Sequence, residues 1–90
     1  MSAWHAEFTP IGERDLSKLD RPLRRQVVDR VDWLAENFET LTPIPLHADF
    51  KGFFKLRVGD WRAAYTLELH ERLIKIRLID HRSKIYKRLR

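Results

Sequence analysis

Apolar and polar positions alternate from Ala3 to Phe8, with Trp4, Ala6 and Phe8 on one side and His5 and Glu7 on the other, the period of a half-buried strand. Thr9 and Pro10 end that run. Threonine is a good helix cap and proline is tolerated at the first helical position, so a short helix is predicted from Pro10 through Leu16 and Leu19 toward Asp20. Asp20 then caps a second helix, with Pro22 in its first turn. Leu23, Val27, Val31, Leu34 and Phe38 recur at helical spacing as one apolar stripe, while Arg24, Arg25, Asp29, Asp32 and Glu36 mostly face water.

Residues 40 to 52, TLTPIPLHADFKG, hold two prolines and no sustained period, which predicts a loop crossing back over the fold. The period then becomes two. Phe54, Leu56 and Val58 alternate with Phe53, Lys55 and Arg57; Gly59 and Asp60 supply a two-residue turn; and Trp61, Ala63, Tyr65, Leu67 and Leu69 resume the alternation. A second turn near His70 to Arg72 leads to a last strand with Ile74, Ile76 and Leu78 on one side and Lys75, Arg77, Ile79 and His81 on the other. The expected fold is α+β. Its single domain over residues 1–90 has a small antiparallel sheet with two N-terminal helices packed on one face, in the order β-α-α-β-β-β, and a short C-terminal tail.

One-sided helices leave the second sheet face to solvent. Alternation puts Lys55, Arg57 and Arg62 there, and the Gly59-Asp60 turn sets Arg57 directly opposite Arg62. Like charges in that relation cost a few tenths of a kcal/mol or more, on the order of ordinary cross-strand pair terms, and a bound anion would reverse the sign. With regular pleating, Lys75, Arg77 and His81 join the same face. Phe53 falls there as well, where it either stacks on a base or lies under the proline loop.

Charge points the same way. Residues 1–50 carry six Lys/Arg against nine Asp/Glu and residues 51–90 carry twelve against four, so the halves are net −3 and +8, together the chain's +5. Such a field concentrates polyanions, favouring nucleic acid or an acidic protein over a neutral metabolite; a merely solvated basic surface is the alternative. The absence of cysteine excludes disulfides, thiolate metal sites and cysteine nucleophiles. His5, His47 and His70 follow no metal-ligand spacing, and neither metal nor cofactor is expected. No apolar run reaches the roughly 20 residues of a membrane span, and the N-terminus lacks a signal peptide's pattern, so a cytoplasmic protein is expected. Trp33, beside the Leu34 stripe, is either rim packing or part of a groove for a partner helix.

PLHADFKGFFKLRVGDWRAAY, followed by strand residues and IDHRSKIY, resembles the RelE/ParE superfamily of bacterial toxins, in particular its RelE-like mRNA endonuclease branch. The likeness runs over almost the whole chain, since the opening strand, EFTPIGERDLSKLD and the amphipathic helix fall in the family's order. It implies a sheet backed by two helices, cleavage of messenger RNA at the ribosomal A site, and a cognate antitoxin forming a hetero-oligomer with the toxin. It also implies that Arg62 holds the scissile phosphate, that Lys55 stands near the attacking 2′-hydroxyl, and that Arg82 and Tyr86 serve the leaving group or phosphate and the orientation of the RNA.

One departure from the family pattern bears on the chemistry. Where the best-known branch has a second lysine two positions before Lys55, this chain has Phe53. A lysine must be made to give up its proton by neighbouring charge or burial, whereas histidine exchanges protons readily near neutrality. The general base is therefore Lys55 or His81. The expected catalytic set is Lys55, Arg62, His81, Arg82 and Tyr86, with Phe53, Arg57, Lys75 and Arg77 binding RNA. Two other readings share the fold: a ParE-like inhibitor of DNA gyrase without nuclease activity, and an inactive binding module.

Overall fold

The computed structural model describes residues 2–90 and has the expected α+β architecture. Strand β1 (His5–Phe8) leads into α1 (Pro10–Ser17) and α2 (Arg21–Asn37); β2 (Ile44–Pro45), β3 (Phe54–Val58), β4 (Trp61–Glu68) and β5 (Leu73–His81) follow, and α3 (Ile85–Arg88) ends the chain. One five-stranded sheet runs in the order β1-β5-β4-β3-β2.

Both predicted caps form. Thr9 accepts from the Gly12 amide at 3.1 Å and Asp20 accepts from the Leu23 amide at 3.0 Å, each satisfying a helix-start donor that would otherwise lack a partner. Thr9 also ties its helix to the sheet, because its hydroxyl donates to the Ile76 carbonyl at 3.2 Å. Glycine at position 12 follows from that approach: a Cβ there would lie 2.3 Å from the Ile76 carbonyl oxygen.

The α2 stripe of Val27, Val31, Leu34 and Phe38 packs on Leu56, Val58, Ala63, Tyr65, Ile74 and Ile76, forming the main core between helices and sheet. Trp4 closes one end against Phe38, with ring centroids 4.6 Å apart. Gly59 adopts φ 59°, and the β3–β4 register sets Val58 opposite Trp61 and Arg57 opposite Arg62, as the alternation predicts.

Three features differ from the expectation. The sheet is antiparallel except at its edge, where β1 pairs parallel with β5 from His5↔Leu73 to Phe8↔Ile76. Two helices separate β1 from the meander, so no tight hairpin forces it antiparallel. The proline loop contributes β2, whose Ile44 and Pro45 pair with Lys55 and Phe54. The C-terminal tail is helical at α3, and it packs against the sheet face that alternation assigns to water.

Candidate functional site

That second face is not bare. Ala64 of β4 and Leu78 of β5 lie at its centre beneath Leu46, Phe50 and Phe53 of the 46–53 segment and Ile85, Tyr86 and Leu89 of the chain end. This second, smaller core buries Ala64 and Ile85 to 0% exposure. The cations consequently form a rim around an apolar patch. Phe53 belongs to the patch: it is half-buried, its carbonyl accepts from the Leu46 amide at 2.9 Å, and it lies under the proline loop.

Lys55 stands opposite Ala64, directly beside the patch, and Arg57 and Arg62 form the next pair toward the turn. The Arg62 guanidinium curls back, donating through Nη1 to the carbonyls of Gly59 and Trp61, each at 2.8 Å. Among the described residues, none of these three cations pairs with a carboxylate. Arg82 reaches the same turn: its amide donates to the Asp60 carbonyl at 2.8 Å, and its Nε lies 3.5 Å from Asp60 Oδ1. Tyr86 stacks on Phe50 at 6.4 Å and meets the His47 ring edge-on at 5.8 Å.

Regular pleating fails in β5. Its register runs Ala64↔Leu78 but Tyr65↔Ile76, so Arg77 is an extra residue at a β-bulge. A one-residue slip exchanges the faces beyond it. Leu78 and Asp80 join Ala64 and Arg62, while Ile79 and His81 turn to the helix side, where His81 pairs with Trp61. The two rings meet edge-to-face at 5.7 Å, and His81 Nδ1 lies 2.9 Å from the Ser83 hydroxyl. The structure therefore does not bring His81 onto the face of Lys55 and Arg62.

Lys75 and Arg77 do remain on that face. Each has a partner there, since Lys75 pairs with Glu68 at 3.3 Å and Arg77 Nε donates to the Thr66 hydroxyl at 2.9 Å. Tyr65 lies on the core side, and burial pushes its phenol up to about 12, so it stays protonated at neutral pH.

Asp15 is a structural element that periodicity alone did not single out. It is 5% exposed, and its Oδ2 accepts from the Ile79 amide at 2.9 Å and from Arg88 Nη1 at 2.8 Å. Arg88 also approaches Asp80 Oδ2 at 3.3 Å, and these carboxylates hold its guanidinium more firmly protonated than usual. α3, which carries Tyr86, is thereby fastened across the sheet edge to α1. The available signal was an acid at the 12, 15, 16, 19 spacing of the buried α1 face.

A sequence model described as the ParE toxin of type II toxin-antitoxin systems matches residues 6–86. The chain belongs to the RelE/ParE superfamily of type II toxins. Toxin RelG of Mycobacterium tuberculosis is 30% identical over 81 residues, covering 90% of this toxin and 93% of RelG. The toxin-antitoxin complex RelBE2 from the same organism contains a chain that aligns with a TM-score of 0.76 at 26% identity, covering 87% of this toxin and 96% of that chain. The isolated RelE toxin of E. coli shares the fold, with a TM-score of 0.71 at 13% identity over 97% of this toxin and 99% of that chain.

Proposed function

We propose that this toxin is a ribosome-dependent messenger-RNA endonuclease acting without metal by attack of a ribose 2′-hydroxyl. The observation that carries the reading is the Arg57–Arg62 cross-strand pair beside Lys55, three cations on one face with no carboxylate partner among the described residues. Like charges held opposite one another are a standing cost that a phosphodiester reverses. The Arg62 guanidinium, retained among the described residues by backbone carbonyls alone, is free to exchange them for phosphate oxygens.

In the reaction the 2′-oxygen forms a bond to phosphorus, the bond from phosphorus to the 5′-oxygen breaks, and a proton leaves the first oxygen while another reaches the second. The products are a 2′,3′-cyclic phosphate and a 5′-hydroxyl. Arg62 and Arg57 neutralise charge on the phosphoryl oxygens, Lys55 in its neutral form takes the 2′-hydroxyl proton as general base, and solvent water supplies the proton that the 5′-oxygen gains. Arg82, fixed by Asp60 near the same turn, serves the leaving oxygen, and Tyr86 orients the RNA. His81 is left out of this assignment because the Arg77 bulge sends it to the other side of the sheet.

A cognate antitoxin is the expected partner, as in the RelBE2 complex. Arg30 lies 4.4 Å over the Trp33 ring, which is 44% exposed, and with Ile44 these residues border an apolar groove of about 280 Å³ beside Lys55 and Arg57. Its chemistry suits an acidic segment bearing an apolar anchor.

The second reading is a gyrase inhibitor, favoured by the matching model's ParE description. Mapping new RNA 5′-ends after induction separates the two. Cuts at defined codon positions that vanish in Arg62→Ala support the nuclease; DNA damage without cuts supports the gyrase inhibitor; neither effect points to an inactive binding module.

A further inference from the structure

Three rings converge where the 46–53 segment meets α3: His47 lies 5.9 Å from Phe50 and 5.8 Å from Tyr86, and Phe50 stacks on Tyr86 with 24° between planes. With Asp49 and Arg90 they line a cleft of about 260 Å³. The imidazole is set by its own loop, since its Nδ1 accepts from the Asp49 amide at 3.2 Å and lies 3.4 Å from Asp49 Oδ2. While Nδ1 accepts from the Asp49 amide, Nε2 is the ring nitrogen that carries hydrogen. The His47 side chain is 53% exposed, so this donor is open to a ligand.

We propose that this cleft is a nucleobase pocket flanking the phosphate-binding cations, with His47 as its specificity-determining residue; the assignment rests on the RNA-cleaving reading above. Several observations support a base over another small ligand. Aromatic faces accept any base by stacking. An imidazole N–H, the Asp49 carboxylate and the Arg90 guanidinium offer both donor and acceptor to a base edge. The pocket also shares Tyr86 and Phe50 with the apolar patch on which Ala64 stands, and Ala64 directly opposes Lys55. A base seated on His47 and Tyr86 thus continues along the same face as a phosphate near Lys55 and Arg62.

Titrating the isolated toxin with each ribonucleoside 5′-monophosphate, followed by ring-proton resonances, tests the pocket without ribosomes. The account predicts saturable shifts of the His47 and Tyr86 rings by at least one nucleotide and none at those rings from inorganic phosphate. His47→Ala should weaken that nucleotide roughly tenfold, in the range of one stacked base, and His47→Phe should recover stacking while losing base discrimination. Equal shifts from phosphate, or undiminished nucleotide binding in His47→Ala with an unchanged melting temperature, would overturn the pocket. In a translating extract, His47→Ala should change the base preference around the cut while Arg62→Ala removes cutting. An unchanged preference sinks the pocket and leaves the nuclease reading standing, whereas wild-type protein that cuts nothing overturns both.

Discussion

Asp15 and Arg88 form a 2.8 Å ion pair that joins α1 to α3 across the edge of β5. The carboxylate is almost wholly buried and the guanidinium side chain is 33% exposed, so the cost of breaking the pair falls mainly on the acid left behind. Arg88→Ala should destabilise the fold by about 3 kcal/mol, near the low end for a broken buried pair. Asp15→Ala should cost a similar amount, since it also leaves the Ile79 amide without its acceptor. Urea unfolding of both variants and of the double variant checks this. The double variant should lose much less than the sum of the two, because a single interaction is removed twice.

Gly12 makes a sharper steric test. Alanine is the better helix former, yet its Cβ would meet the Ile76 carbonyl oxygen at 2.3 Å. Gly12→Ala should therefore destabilise by about 1–3 kcal/mol, the range for overpacking, and lower the melting temperature. An increase in melting temperature would mean that α1 does not lie against β5 as described.

Tyr65 gives the alkaline limb of stability. Its folded phenol is raised from 10.0 to about 12, so the folded state resists the ionisation that the unfolded chain undergoes first. The associated stability is fully present below about pH 10 and is lost as pH rises through about 12, amounting to about 2–3 kcal/mol. Chemical denaturation between those limits should show the loss in wild type. Tyr65→Phe should remove most of the slope.

Because the bulge at Arg77 turns His81 toward Trp61, His81→Ala should keep cleavage within about tenfold of wild type. Arg62→Ala, which removes a charged phosphate contact, should lose about a hundredfold or more, on the scale of one deleted oxyanion-type donor. Single-turnover cleavage on programmed ribosomes measures both. Equal losses would bring His81 back into the chemistry.

Strands β1, β3, β4 and β5, the α2 stripe, both N-caps and the Gly59 turn were legible because each rests on local chemistry or on a period, whereas β2 lies in a stretch read as loop. The lysine-arginine face was legible for the same reason up to Arg77. The alternation of Lys75, Arg77 and His81 looks regular in sequence, and no glycine or proline marks the extra residue, so the exchange of faces beyond the bulge could not be read. Ala64, the 0%-exposed floor of the second core, reads as an ordinary small residue on an exposed face. The parallel pairing of β1, the covering of that floor by Leu46 and Ile85, and the Asp15–Arg88 link all join residues far apart in the chain, beyond the reach of any local pattern. Family resemblance supplied the reaction, whereas periodicity supplied only the face on which it would occur.

The most direct test of the central claim is end-group analysis of messenger RNA after a single round of exposure to the purified toxin on translating ribosomes. Wild type, Lys55→Ala and Arg62→Ala should be compared under identical conditions. The account predicts 2′,3′-cyclic phosphate and 5′-hydroxyl ends at defined codon positions with wild type, and strong loss of both ends in the two variants. Intact messenger with wild type, or equal cleavage in all three proteins, would contradict it.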